Sequence, residues 1–353
     1  MICDDSAVIR SAVSRMLDGD PGLRVVASVA NGRQAVDEIR RRTGTDAVEI
    51  VVLDVEMPVM DGLTALPLLL RADPGLRVLM SSTLTTRGAD VAMRALRLGA
   101  ADYVPKPSAA QMRADDSFRR ELIEKVKGQS RLRRRASRPV PPAPSAGRLQ
   151  LRPPPAKRPL VLAIGSSTGG PQALFTLVQG LGKQLPVPVV LTQHMPAAFT
   201  PILAEHITKF GGLVCTEAVD GQKLDNGRIY LAPGNRHLLV AGGGDRLTAR
   251  LSQDPPENFC RPSVEPMLRS AITACDGRVL LVMLTGMGHD GLASTRQLIA
   301  AGGAAIAQDE ASSVVWGMPG AIAEAGLCHA VLPLPQIAGK VLEMIGVPSM
   351  VRN

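Results

Sequence analysis

Aromatic side chains are nearly missing from this sequence: Phe, Tyr and Trp together make up 2% of it. Aliphatic residues must therefore fill its core, and single-stranded nucleic-acid binding, which relies on aromatic stacking platforms, is argued against. Paired cysteines are missing too. The five present, Cys3, Cys215, Cys260, Cys275 and Cys328, are scattered and show no CxxC or metal-ligand spacing. That reads as reduced thiols in a cytosolic protein. No apolar run reaches the ~18 residues that a membrane span needs. Asp4 and Asp5 stand where a signal peptide would put its basic and apolar regions. The expectation is a cytoplasmic chain without membrane insertion.

An excess of one charge is also lacking, outside a single segment. The net charge of +8 is owed to nine Lys/Arg between Arg131 and Arg158, a stretch with no acids; without them the chain stands at −1. The same stretch carries Pro139, Pro141, Pro142, Pro144 and the triplet Pro153, Pro154 and Pro155. Self-repelling charge and polyproline II geometry predict an extended, solvated Pro/Arg-rich linker over 128–159. A contact with an acidic partner or a nucleic acid is the alternative. The linker divides the 353 residues into domains over 1–127 and 160–347, each long enough to bury its own core.

In both domains short apolar runs alternate with amphipathic stretches. Leu23–Val29, Ile50–Leu53 and Val78–Ser81 read as strands, and Ala7–Leu17, Arg33–Arg41 and Ala89–Leu98 as helices. Further on, Leu160–Ile164, Val187–Thr192, Val279–Thr285 and Ala304–Ala307 read as strands. The pattern predicts an α/β protein of two doubly wound parallel-sheet domains.

Chemistry gathers at the ends of these strands, where an open parallel sheet forms its ligand crevice. In the first domain Asp4 and Asp5 follow a short apolar run, Asp54 ends another, and Lys106 follows a third. Converging carboxylates repel one another unless a cation intervenes, and Mg²⁺ suits oxygen ligands that share it with phosphate. Asp54 is then the carboxylate nucleophile.

Residues 1–127 resemble the response-regulator receiver domain. The matching motifs are Asp-Asp-Ser at 4–6, Leu-Asp-Val-Glu-Met-Pro-Val-Met-Asp-Gly at 53–62, Ser82, and Lys-Pro at 106–107. The resemblance implies a flavodoxin-like fold with Asp54 as phosphoacceptor. It implies a Mg²⁺ site of Asp4, Asp5, Asp54 and the Glu56 carbonyl, switch residues Ser82 and Tyr103 beside Lys106, and a cis peptide before Pro107. Only Met1, Ile2 and Cys3 precede the Asp pair. Since the first strand of such a sheet is central, this stub should either weaken the domain or mark a true start further upstream.

In the second domain the apolar run Leu160–Ile164 leads into Gly165-Ser166-Ser167-Thr168-Gly169-Gly170, a G-x-S-x-G pattern centred on Ser167. Small flanking residues permit a sharp strand-to-helix turn that lifts the hydroxyl clear of the sheet. Ser166 is the competing nucleophile, and a glycine-rich loop of this kind also suits a phosphate or a dinucleotide. A serine nucleophile needs a base, and the base needs an orienting acid. His194 and Asp290 each lie just beyond a predicted strand end. The plainer reading of Asp290 is an N-cap for a helix over Leu292–Ala300. The order Ser, His, Asp differs from the Ser, Asp, His of α/β-hydrolases.

Residues 160–345 resemble the catalytic domain of chemotaxis protein-glutamate methylesterases. The motifs are Ile-Gly-Ser-Ser-Thr-Gly-Gly-Pro at 164–171, Thr-Gln-His-Met-Pro at 192–196, Tyr-Leu-Ala-Pro-Gly-Asn-Arg-His at 230–237, Arg-Pro-Ser-Val at 261–264 and Leu-Thr-Gly-Met-Gly-His-Asp-Gly at 284–291. Ala-Gln-Asp-Glu-Ala-Ser-Ser at 307–313 and Trp-Gly-Met-Pro at 316–319 complete the set. His289 departs from the family's usual asparagine. The resemblance implies a Rossmann-like domain with Ser167 as nucleophile, His194 as base, Asp290 as its orienter, and the Thr168 and Met287 amides as oxyanion hole. No cofactor is implied there. The implied reaction is hydrolysis of glutamyl methyl esters, and deamidation of glutamines, on chemoreceptors, the methyl-accepting chemotaxis proteins. A histidine kinase is the implied phosphodonor, with no nucleic-acid partner. The family pattern also implies that the unphosphorylated receiver occludes the active site, so that deleting residues 1–130 raises basal activity. Two rivals remain at this point: a receiver-linked DNA-binding factor and a nucleotide-binding module built on Gly165–Gly170.

Overall fold

A computed structural model describes residues 1–42, 44–106, 116–136, 150–153, 155, 157–244 and 246–347. The chain divides into two compact units, Met1–Pro142 and Ala143–Asn353.

In the first unit β1 (Ile2–Cys3), β2 (Ser28–Val29), β3 (Ile50–Asp54), β4 (Arg77–Ser82) and β5 (Asp102–Pro105) form a sheet in the order β2-β1-β3-β4-β5. All its pairings are parallel. This is the flavodoxin-like order, which collects the carboxyl ends of β1, β3 and β5 around one crevice. β3 is buried at every position, as a continuous apolar run between covered faces should be. The helix Asp116–Ala136 covers one face through Phe118, Leu122 and Val126, spaced at single helical turns.

The central strand β1 is only two residues long. Met1 is nevertheless buried, and its amino group donates to the Ile50 carbonyl at 2.9 Å. Burial, with Arg42 adding to it, pushes that amine down to about 5. A cavity of about 240 Å³ opens beside it, lined among others by Met1, Val25, Val48 and Ile50.

The linker expectation needs correcting at both ends. The boundary placed at 127 falls inside the helix Asp116–Ala136. Its basic residues are not simply solvated: Arg133 pairs with Asp73 at 2.8 Å and Arg134 with Glu49 at 3.2 Å. Acids of the first unit thus offset the repulsion that would otherwise extend this run. At the far end, the Arg152 amide donates to the Cys328 carbonyl at 2.9 Å and its side chain to the Gly326 carbonyl at 3.0 Å. Residues 137–149 lie outside the described residues.

The second unit is built on a seven-stranded sheet. Its strands are β6 (Val161–Ser166), β7 (Val189–Gln193), β8 (Val214–Glu217), β9 (Arg228–Leu231), β12 (Val279–Met283), β13 (Ala304–Gln308) and β14 (Ala330–Leu332), in the order β14-β13-β12-β6-β7-β9-β8. All pairings are parallel. An antiparallel hairpin, β10 (His237–Gly243) with β11 (Arg246–Ser252), and the helix Val264–Ala274 precede β12. The chain builds outward from β6 on the β7 side, then returns to β6's other flank as β12. β6 is therefore the topological switch point, and its crevice lies at the carboxyl ends of β12, β6 and β7.

Candidate active site

β6 is buried throughout and ends at Ser166; the turn Ser167–Gly169 then enters the helix Gly170–Leu181. Gly169 sits in the left-handed region at φ 75°, where a side chain would be strained. Gly170 is required by proximity, since an added Cβ would lie 2.0 Å from the Gln193 Oε1. Gln193 is what holds this turn. Its Oε1 accepts from the Ser166 hydroxyl at 2.7 Å, while its Nε2 donates to the carbonyls of Ser167 and His194 at 2.9 and 3.1 Å. Ser166 is fully buried and its hydroxyl committed. Ser167 is partly exposed, and among the described residues its Oγ makes no hydrogen bond.

His194 follows β7, its amide bonded to the Ser166 carbonyl at 3.0 Å, which sets it beside the serine turn. Its Nε2 lies 2.7 Å from the Asp290 Oδ2. Its Nδ1 lies 3.4 Å from the Cys260 Sγ. Burial alone would lower the imidazole pKa, but the Asp290 hydrogen bond and the Cys260 contact outweigh it and hold the ring above its ordinary value. No Ser167–His194 hydrogen bond is formed; such bonds often close only when substrate is bound.

Asp290, in the loop after β12, is 2% exposed. Its Oδ1 accepts from the Ser263 hydroxyl at 2.7 Å and the Asn258 Nδ2 at 2.9 Å. Its Oδ2 accepts from the Val264 amide at 2.7 Å as well as from His194. Burial raises its pKa, but His194 and these donors more than reverse that and keep the carboxylate ionised below the usual range. Asp290 is not an N-cap. The helix Leu292–Ala300 begins at Gly291 without a side-chain cap, and the buried Glu265 takes that task by accepting from the amides of Gly291, Ala293 and Ser294. Asn258, Cys260, Ser263 and Glu265 were not singled out from the sequence. Only the Arg-Pro-Ser-Val motif at 261–264 pointed to their neighbourhood.

Two further loops meet at Ser167. Its amide donates to the Thr285 carbonyl at 3.1 Å, and the Thr285 hydroxyl donates to the Thr168 carbonyl at 2.9 Å. Among the described residues neither the Thr168 nor the Met287 amide has a hydrogen-bond partner. The other histidines lie elsewhere: His237 is buried between the Pro255 carbonyl and the Ser263 amide, His206 sits within the helix Thr200–Gly211, His329 accepts from the Ala305 amide, and His289 is exposed.

In the first unit, Asp4, Asp5 and Asp54 each offer a carboxylate oxygen within 4.8 Å of the others. The Lys106 ammonium bonds the Asp54 Oδ2 at 2.7 Å and lies 3.5 Å from the Asp4 Oδ2. That Asp4 oxygen is buried with no hydrogen-bond partner, as a ligand atom awaiting a cation would be. Burial pushes Asp54 up to about 6 against the pull of Lys106, with Asp4 adding to the rise. The Ser82 hydroxyl is turned to the Gly88 carbonyl at 2.7 Å. Tyr103 is buried beneath the Lys125 ammonium, 4.9 Å from its ring centre. The Glu56 side chain is exposed. Pro107 lies outside the described residues.

Residues 162–341 match the family model for the CheB methylesterase, and residues 1–114 match that for the response regulator receiver domain. The chain belongs to the CheB methylesterase family. A protein-glutamate methylesterase/protein-glutamine glutaminase of Rhodospirillum centenum is 50% identical to it, over 96% of this chain and 91% of that protein. One from Azospirillum brasilense is 51% identical, over 96% and 90%. The crystal structure of the Thermotoga maritima CheB methylesterase catalytic domain superposes with a TM-score of 0.51 at 36% identity, covering 53% of this chain and 99% of that one. The CheB catalytic fold thus accounts for the second unit and a receiver for the first. Among the described residues no helix is long and apolar enough to cross a membrane.

Proposed function

We propose that this CheB-family chain is a phosphorylation-regulated protein-glutamate methylesterase and protein-glutamine glutaminase acting on chemoreceptors through Ser167, His194 and Asp290. The observation that carries this reading is the His194–Asp290 pair, largely shielded from water and 2.7 Å apart in the segments that follow β7 and β12, flanking the strand that leads to Ser167.

The protonation states follow from the hydrogen bonds. Asp290 is an anion and only accepts, so the Nε2 it meets must carry the proton. In the neutral ring Nδ1 is then the lone pair, and it takes the Ser167 proton as Oγ attacks the glutamyl carbonyl carbon. The Thr168 and Met287 amides donate to the oxyanion so formed. Collapse of this intermediate breaks the ester C–O bond; the proton on Nδ1 passes to the leaving oxygen, and methanol departs. Water, deprotonated by the same Nδ1, attacks the acyl carbon; the bond to Ser167 Oγ breaks, Oγ takes the proton back from Nδ1, and a glutamate carboxylate is released. A glutamine substrate follows the same course with ammonia as leaving group.

Asp54 is the phosphoacceptor, with a histidine kinase as donor. Asp4, Asp5, Asp54 and the Glu56 carbonyl would hold Mg²⁺, which when bound supplies the positive charge that steadies an incoming phosphoryl group. Lys106 pairs with the phosphoryl oxygens. Ser82 must exchange Gly88 for them, and Tyr103 must respond within its buried site under Lys125. Methanol release from a methylated receptor, with and without acetyl phosphate and Mg²⁺, tests this reading. Release that acetyl phosphate stimulates supports it; no release in either condition refutes it.

A further inference from the structure

The segment joining β11 to the helix Val264–Ala274 contains a tight turn at Glu257–Cys260. Glu257 and Cys260 exchange both backbone hydrogen bonds, at 3.1 and 2.9 Å. Arg269, on that helix, grips the Glu257 carboxylate with two bonds of 2.6 and 2.8 Å. The two residues at the tip, Asn258 and Phe259, are both in the left-handed region, at φ 50° and 64°. Consecutive non-glycine residues adopt this backbone only where the surroundings impose it.

What the turn achieves is a division of side chains. Asn258 points inward and donates to Asp290 at 2.9 Å, and Cys260 points inward to the Nδ1 of His194 at 3.4 Å. Phe259, between them, points fully outward, with a relative exposure of 103%. In a chain with five phenylalanines, where Phe118, Phe175 and Phe199 are each 4% exposed or less, this is a large apolar side chain held in water at the rim of the active site.

We infer that Phe259 is a docking residue for the protein substrate: it packs on an apolar side chain that adjoins the glutamyl ester on the surface of the receptor. This rests on the proposed reading that the ester is protein-borne. A glutamyl side chain is short, so the protein surface that carries it must approach the mouth of the site for the carbonyl to reach Ser167. Both sequence neighbours of Phe259 touch the His194–Asp290 pair, so that surface meets its ring. The ring supplies contact area at low entropic cost, as aromatic anchors do. Because the Phe259 ring is fully exposed among the described residues, its role is in binding and not in holding the fold.

The test uses the full chain, phosphorylated with acetyl phosphate and Mg²⁺. Phe259→Ala should raise KM for methylated receptor about tenfold and change kcat less than about twofold, the signature of lost binding without lost chemistry. Phe259→Leu should recover part of the loss. The rate at which a small serine-reactive phosphonate labels Ser167 should be unchanged in both variants, since that probe needs no docking surface. An unchanged KM overturns the inference. So does an equal loss toward receptor and phosphonate, which assigns Phe259 a structural role. Faster phosphonate labelling of the unphosphorylated variant also overturns it, because the ring would then be covered by another part of this chain. Failure of the wild type to release methanol while the phosphonate still labels Ser167 overturns the underlying reading, and this inference with it.

Discussion

His194 meets Asp290 through Nε2 and not Nδ1, at 2.7 Å, so that in the proposed mechanism the nitrogen nearer its own backbone serves the nucleophile. In the chymotrypsin arrangement the two nitrogens have the opposite duties. The strand order explains the difference. Here the proposed base follows β7 and the proposed acid lies beyond β12, on opposite flanks of the strand that leads into the serine turn. The imidazole must therefore reach across the end of β6 with its far nitrogen.

That pairing sets a pH dependence. The ring acts as base only when neutral, and Asp290 and Cys260 hold its pKa above the ordinary 6.5. Activity should therefore rise with pH along a limb centred above 6.5. In Asp290→Asn the ionic partner is lost while burial remains, so the limb should move down even as kcat falls. A kcat/KM profile for methanol release checks both shifts; a wild-type limb at or below 6.5 contradicts them. The contribution to stability runs the other way. The raised His194 stabilises the fold fully below 6.5 and loses this as pH rises through its folded value. The depressed Asp290 contributes above 3.8 and loses this as pH falls. The stability difference between wild type and Asp290→Asn should thus be largest between those two values, as read by thermal unfolding.

Ser263→Ala removes a hydroxyl that donates to the buried Asp290 at 2.7 Å. Hydrogen bonds to charged groups contribute about 1.5–3 kcal/mol. The melting temperature should drop by roughly 3–10 °C, and kcat should fall about tenfold or more as the carboxylate loses its fixed orientation. Calorimetry and methanol release check the two effects separately.

Metal removal should separate the two units. Chelation, or Asp54→Asn, should abolish stimulation by acetyl phosphate and leave basal methanol release unchanged, because the Asp4, Asp5 and Asp54 cluster belongs to the first unit alone. A fall in basal release on chelation would place a metal in the chemistry. Deletion of the receiver should be cut beyond Ala136 and not at residue 130, which lies within the helix Asp116–Ala136.

Much of this was legible in the sequence because the signals were local. The apolar runs before Asp54, Ser167, His194 and Asp290 became strands: Asp54 ends one, Ser167 and His194 directly follow two others, and Asp290 lies in the loop after the fourth. What was not legible depended on distant partners. Glu265 caps a helix whose N-cap, Gly291, comes 26 residues later, and Gln193 locks Ser166 from the next strand; neither leaves a spacing signature. Leu23–Val29 reads as a strand by composition, but only Ser28–Val29 pairs, because β1 offers just two residues to pair with. The basic run after residue 130 looked solvated because Glu49 and Asp73, which neutralise part of it, come from far earlier in the chain.

The most direct test of the account compares Ser167→Ala with Ser166→Ala in methanol release from methylated receptor. Ser167→Ala should lose more than about 10³-fold, beyond what deletion of one oxyanion donor costs. Ser166→Ala should lower stability by about 1–3 kcal/mol, since it strips the Gln193 oxygen of its buried donor, yet keep activity within about tenfold. Full activity in Ser167→Ala, or its loss in a folded Ser166→Ala, would contradict the assignment of the nucleophile.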